Sequence, residues 1–495
     1  MVCSPYTRER EQLADTDDRT GMSRQDFLRA AGMGAGALAL GNYGLAIAAG
    51  DAGWAGSPAG AVRYHLTPLA TSVDLGIRRV PTIAYDGVLP GPEIRLTKGK
   101  TLHALVRNRL HEDTSVHWHG IPIPNKMDGV PGVTQPPIKP GTDYHYRFRV
   151  PVSGTYWYHS HSGLQMDRGL YGPLIIDDSY ETLKYDHDVS LMFDDWHDGY
   201  HLAATDRTNT LYECRLDSVE AGPLPSRDHT LIEPVVYPAY LVSGRSATTP
   251  FEITVKRGDV ARLRLINPSS ATSYRIAIAG HHMRVTHADG LAVMPVDVDV
   301  LELGMGERYD VLVHANNPGA WQVAAEAIGK GRMTRAVLRY AGSVAANPPA
   351  KMQPKELRGR LLSYNMLRPG PRVPVPGGRP DVTMRVTLNN RFGSFLLAVN
   401  DQIIADNQTI HIPRGKHIRF QVTNSTVQIH PIHLHGHSFQ VGTPSGHGPM
   451  KDTAMVPAFK SLTFDWIADN PGIWMLHCHN LYHMHAGMMV LLQVS

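Results

Sequence analysis

Four short segments of this 495-residue chain share one spacing, two histidines separated by a single residue: His117-Trp118-His119, His159-Ser160-His161, His433-Leu434-His435 and His477-Cys478-His479. On a β-strand alternate side chains share a face, so each pair presents two imidazoles in the same direction. One such pair is ordinary strand polarity. Four pairs at repeat-related positions supply eight imidazoles that can converge on a metal cluster.

The last of the four sits in a richer stretch. His430 precedes it in HPIHLH, and HCHNLYHMHAGM adds Cys478, His483 and Met488. Two imidazoles, a thiolate and a weak thioether make up the ligand set of a blue-copper electron-transfer site. Strand alternation turns Cys478 away from His477 and His479. One tripeptide therefore touches two metal sites, a thiolate site where electrons enter and a histidine cluster that receives them. That arrangement suits one-electron steps feeding a four-electron acceptor.

The elements that must position these residues recur three times, at a period of about 160 residues. IRLTKGKTLHALVRN, ITVKRGDVARLRLIN and IHIPRGKHIRFQVTN each read as strand, basic-Gly turn and strand, with Gly99, Gly258 and Gly415 each nine residues before Asn108, Asn267 and Asn424. SGTYW, PGAW and PGIW then launch a later strand at Gly154, Gly319 and Gly472. Short alternating strands with Gly/Pro turns predict an all-β protein of three tandem Greek-key β-sandwiches, cupredoxin-like in type. The expected domains are 62–180, 181–345 and 356–495. By fixed offset from the repeated Asn and Gly, the middle copy has Ile276 and Ile278, then Ala324 and Glu326, where the outer copies carry histidines. It reads as a spacer without copper ligands.

Composition narrows the remaining classes. A formal charge of +3 gives no reason to expect a nucleic-acid partner. Three cysteines, Cys3, Cys214 and Cys478, build no disulfide framework, and Cys214 is expected to be a buried, inert thiol. Residues 1–50 read as an N-terminal extension and export signal, with a basic patch at Ser23 followed by a Gly/Ala-rich apolar run. The pattern is similar to a twin-arginine signal, with Gln25 where the second arginine would stand. A start at Met22 would place this signal at the very N-terminus. No other run is long and apolar enough to span a bilayer, so the expected location is the periplasm, the cell envelope or the medium.

The four segments, in order and spacing, resemble the four copper-binding motifs of the multicopper oxidase family over residues 62–495. MDGVPG, GTYWYHSHSGLQMDRGLYGPLIID and HCHNLYHMHAGM are most similar to bacterial copper-resistance oxidases. The resemblance implies four coppers: type 2 on His117 and His433; a type 3 pair on His119, His159, His161, His435, His477 and His479; and type 1 on His430, Cys478, His483 and Met488. It also implies reduction of O2 to water, which consumes four protons and so requires an acid near the cluster. Asp128 matches the acidic residue that follows the first motif, although Asp-Gly is also a turn signal. Met484 stands where many bacterial relatives place a second acid. Met450, Met455, Met484, Met488 and Met489 lie in the final stretch, where thioethers favour Cu(I) and also fill cores. Two electron donors therefore stay open, cuprous ion and phenolic or aromatic amine compounds. Copper buffering with incidental turnover is an alternative from another class. Nitrite reduction fits less well, because it needs no paired type 3 histidines.

Overall fold

The computed structural model describes residues 60–76, 78–196, 235, 237–391, 394–400, 402–403, 409–443, 446 and 448–495. The export segment, Cys3 and Cys214 lie outside them. Strands rich in β-branched and aromatic residues bury one face each, and two sheets stacked face to face satisfy that demand. The second and third domains repeat one topology strand for strand, each pairing a seven-stranded with a five-stranded sheet. The first domain uses smaller sheets, of four, three and two strands. In every domain an early strand lies parallel to a later one: 62–66 beside 102–106, 187–192 beside 261–266 and 382–388 beside 418–424. A hairpin cannot join parallel neighbours, so the chain crosses between sheets and the sandwich is a Greek key.

The elements that carry the site are β1 (His117–His119) and β2 (Gly154–His159) in the first domain, β3 (Tyr274–Ile278), β4 (Arg308–His314) and β5 (Ala320–Ala327) in the second, and β6 (His430–Leu434), β7 (Gly472–Cys478) and the short helix α1 (Leu481–His485) in the third. The histidine strands pair antiparallel, His117 opposite His159 and His433 opposite His477.

The repeated asparagine locks each copy. Nδ2 of Asn108 donates to the carbonyls of Glu112 and Ile138, that of Asn267 to Thr272 and Leu303, and that of Asn424 to Gln428 and Val456. Each Oδ1 accepts the backbone N–H two residues on. These bonds also expose an error in the fixed-offset reading. The middle loop closes on the fifth residue after its Asn, whereas the outer loops close on the fourth. That one extra residue shifts β3, so Ala277 rather than Ile276 lies opposite Ala324. Ala277 and Ala279 therefore stand where the outer domains carry histidines, and Ile276 and Ile278 point into the domain core. A one-residue slip exchanges the two faces of a strand.

Each domain has its own apolar core. A fourth cluster joins Val130, Trp157, Met166 and Tyr171 of the first domain to Met192 and Ile266 of the second and to Met475, Leu481 and Met484 of the third. Residues 356–370, at the start of the expected third domain, pack on the second: Leu362 and Leu367 enter its core, and backbone bonds tie Leu362 to Val300 and Gly370 to Ala292.

Candidate metal centre

The eight predicted histidines come together between the first and third domains. Ligand-capable atoms of His119, His159 and His479 lie within 4.8 Å of one another, as do those of His161, His435 and His477 and those of His117, His119 and His433. Rings drawn from different domains stack, His117 on His435 at 4.0 Å and His119 on His433 at 3.8 Å between centroids. Trp157 closes one wall against water, 4.3 Å from His159 and 4.9 Å from His119.

Six of the eight rings are anchored through one nitrogen and offer the other, while both nitrogens of the buried His479 ring have no hydrogen-bond partner among the described residues. Nδ1 of His117, His159, His433 and His477 faces the backbone carbonyls of Asp128, Ser160, Asp452 and Cys478 at 2.7–2.9 Å, and Nδ1 of His435 faces Asp128 Oδ2 at 2.8 Å. Nε2 of His117, His159, His161 and His433 and Nδ1 of His119 are buried with no hydrogen-bond partner among the described residues. His435 and His477 turn Nε2 toward each other at 3.0 Å. Buried polar atoms are normally satisfied, and anchored rings with convergent bare nitrogens are the mark of a metal-ligand set. The donor set fits copper. Burial, reinforced by neighbouring imidazoles, holds His159, His161, His435, His477 and His479 far below the ordinary histidine range. The rings are therefore in the neutral form that binds metal.

The thiolate site lies on the other side of β7. Cys478 Sγ is 3.4 Å from His430 Nδ1 and 3.6 Å from His483 Nδ1, and those two nitrogens are 3.0 Å apart. Cys478 and Met488 are fully buried in the third-domain core. The Met488 carbonyl accepts the Cys478 N–H at 3.0 Å, and its own N–H donates to His483 at 2.9 Å, which sets Met488 beside both. Two residues that sequence reasoning missed aim this site. The Thr426 hydroxyl lies 2.7 Å from His430 Nε2, and Asn480 caps α1 by accepting from the N–H groups of Tyr482 and His483.

Asp128 ends a 3-10 turn and bridges the two domains, with its Oδ2 on His435 and its Oδ1 3.3 Å from His117 Nδ1. Gly129, at φ +87°, lets this turn press on β1, because a Cβ there would strike the Val116 carbonyl. Behind the cluster sits a second acid, Asp452, which sequence reasoning did not single out. Burial alone would raise its carboxyl, but Arg308 and its hydrogen bonds hold it well below the usual range. Arg308 belongs to the middle domain, and so does Gly306, where a Cβ would meet the His479 ring at 2.8 Å. The middle domain forms part of the wall of the cluster and is more than a spacer. Of the methionines in the final stretch, Met450, Met455 and Met484 are buried, Met484 in the three-domain junction, and Met489 packs partly buried against the same cluster.

A Cys-His-His group with Met488 beside it, next to an eight-histidine cluster in tandem cupredoxin-like sandwiches, fits a copper oxidoreductase. Multicopper oxidase family models match residues 70–181, 187–343 and 375–495. The chain is 37% identical to multicopper oxidase MmcO of Mycobacterium tuberculosis over 95% of its own length and 96% of that protein's. It is 27% identical to copper resistance protein A of Pseudomonas syringae pv. tomato, over 88% and 94% of the two chains. The laccase from Botrytis aclada superposes with a TM-score of 0.72 at 27% identity, covering 88% of this chain and 87% of that one. The chain belongs to the multicopper oxidase family. It is a copper-dependent oxidoreductase with four coppers, one type 1, one type 2 and two type 3, and dioxygen as electron acceptor.

Proposed function

We propose that His430, Cys478, His483 and Met488 hold the type 1 copper, that His117 and His433 hold type 2, and that the type 3 pair divides between His119, His159 and His479 on one side and His161, His435 and His477 on the other. The bound coppers supply one-electron oxidation of the donor and four-electron reduction of dioxygen to water. Everything else belongs to the chain. The end of β7 and the residue that follows it place Cys478 in the third-domain core and His477 and His479 in the histidine cluster, and this juxtaposition is the observation that carries the reading. Short covalent paths through one backbone segment link entry to delivery.

Asp128 is proposed as the proton-handling group. Its carboxylate lies against ring nitrogens from both histidine-bearing domains, within a site walled by Trp157. Met484 holds no proton, so a second acid after His483 plays no part.

The proposed physiological reaction is oxidation of cuprous ion outside the cytoplasm in copper tolerance, with phenolic or aromatic amine compounds as a second donor class. Support comes from the names of the relatives, which include copper resistance proteins and laccases. Export rests on the signal-like N-terminus. The test is oxygen uptake by the copper-loaded protein with Cu(I) and with a phenol, side by side. Uptake with Cu(I) is expected. Uptake with the phenol alone would make it a laccase-type enzyme, and uptake with neither would favour copper storage.

A further inference from the structure

Arg308 on β4 is fully buried, and its guanidinium touches all three domains. Nε donates to the carbonyl of Thr155 at 3.2 Å, on the strand that ends in His159. Nη1 donates to the Gly306 carbonyl at 3.0 Å, within the middle domain. Nη1 and Nη2 grip the two oxygens of Asp452, in the third domain, at 2.7 and 2.6 Å. A planar fork of this kind fixes a carboxylate in orientation as well as in charge. The Tyr156 ring lies beneath the guanidinium, 5.6 Å from its carbon.

The carboxylate so fixed faces inward. Asp452 Oδ1 is 3.0 Å from His119 Nε2, and the Asp452 carbonyl is 2.9 Å from His433 Nδ1. Among the six anchored rings of the cluster His119 is the exception. His117, His159, His433, His435 and His477 are anchored through Nδ1, whereas His119 is anchored through Nε2 and leaves Nδ1 bare. Which nitrogen of a ligand histidine meets the metal is set by the hydrogen bond that the other one makes. At His119 that bond goes to Asp452, with the Thr453 hydroxyl beside it at 3.1 Å. The ring therefore depends on how Asp452 is held: the Thr453 hydroxyl donates to Oδ1 at 2.8 Å, and Arg308 is the side chain that grips both oxygens and fixes the carboxylate plane. Lys451, which is also buried, serves different acids, Asp289 and Glu307.

We propose that Arg308 is a positioning residue for the oxygen-reducing cluster: acting from the middle domain, it orients Asp452 so that His119 is held by Nε2 and presents Nδ1 to the metal. This rests on the ligand assignment proposed above. It gives the domain without histidine ligands a share in building the cluster.

The test compares the full-length wild-type chain with Arg308→Met and Arg308→Lys. Each is loaded at rising free copper, with copper per chain, blue absorbance and the paramagnetic resonance of the type 3 pair recorded, and with melting of the copper-free chain as a check on folding. Arg308→Met is expected to bind cluster copper about 10- to 100-fold more weakly and to show uncoupled, paramagnetic type 3 copper, while the blue site fills as in wild type. Arg308→Lys keeps the charge without the fork and should fall between. Cluster loading and coupling equal to wild type in both variants would overturn the proposal. So would a parallel loss of blue and cluster copper, which marks a general structural role. If Arg308→Met does not fold, Arg308→Lys decides by the same criteria. A wild-type chain that never acquires a coupled pair would refute the ligand assignment itself, and with it this proposal, which is a different result from variant and wild type loading alike.

Discussion

The first and third domains share a fold, and at one set of equivalent positions they have taken opposite courses. In the third domain His430, Cys478 and His483 converge on what we assign as the type 1 site. The matching positions in the first domain are Thr114, Ser160 and Gln165, and there both hydroxyls donate to Gln165 Oε1 at 2.7 Å. In the middle domain the same places hold Tyr274, Ala325 and Lys330, with Tyr274 and Ala325 in the core. The same scaffold positions thus form the assigned metal site, a hydrogen-bonded amide, or two core residues beside a lysine that donates to Ala271 and Thr272, and only the side chains decide which. On the opposite face the contrast has a different partner. The outer domains set histidines against each other, while the middle domain sets Ala277 and Ala324 against Leu357 of the following linker.

The largest effect expected from probing this contrast lies where the outer domains meet. Asp128→Asn should slow oxygen reduction by about 10²- to 10⁴-fold, the span of a lost proton-transfer group, while the type 1 site is still reduced at its normal rate. Stopped-flow separation of the two half-reactions checks this, and equal slowing of both would argue against a proton role. Next comes the middle-domain face. Ala277→His should not create a copper site, because Leu357 occupies the space, and overpacking plus an unpaired buried imidazole should cost about 2–6 kcal/mol in denaturant unfolding. An additional bound copper in that variant would break the comparison. The smallest effect is expected at the first-domain counterpart of the type 1 site. Gln165→Leu strands two buried hydroxyls and should cost about 1–3 kcal/mol, with the blue absorbance unchanged.

Much of this site was legible because its chemistry is periodic. The eight histidines fall on alternate strand positions at repeat-related places, and the thiolate stands between two of them, so period and offset were enough to group them. Asp128 was legible from its motif, but that its carboxylate would span His117 and His435 was not. Two kinds of feature escaped. The extra residue after Asn267 is invisible to a count of fixed offsets, and it exchanged Ile276 for Ala277 at the ligand position. Hydrogen bonding by Asn267 to Thr272, where Asn424 bonds to Gln428, is what exposes it. Arg308 and Asp452 are 144 residues apart and meet only after three domains pack, so no local pattern announces them. A buried Arg and Asp two residues apart on a largely apolar strand, Arg308 and Asp310 in RYDVLVH, was an available hint. Met450, Met455 and Met484 show the reverse: thioethers suggestive of Cu(I) binding are buried in packing.

The central claim is that electrons pass from the type 1 site to the cluster through the strand bearing His477, Cys478 and His479. Cys478→Ser in the copper-loaded enzyme tests it most directly, with blue absorbance, cluster copper and donor-driven oxygen uptake measured on one sample. Loss of blue absorbance and of oxygen uptake together, with cluster copper retained, is the expected result. Oxygen uptake that persists at the wild-type rate without the thiolate would contradict the account.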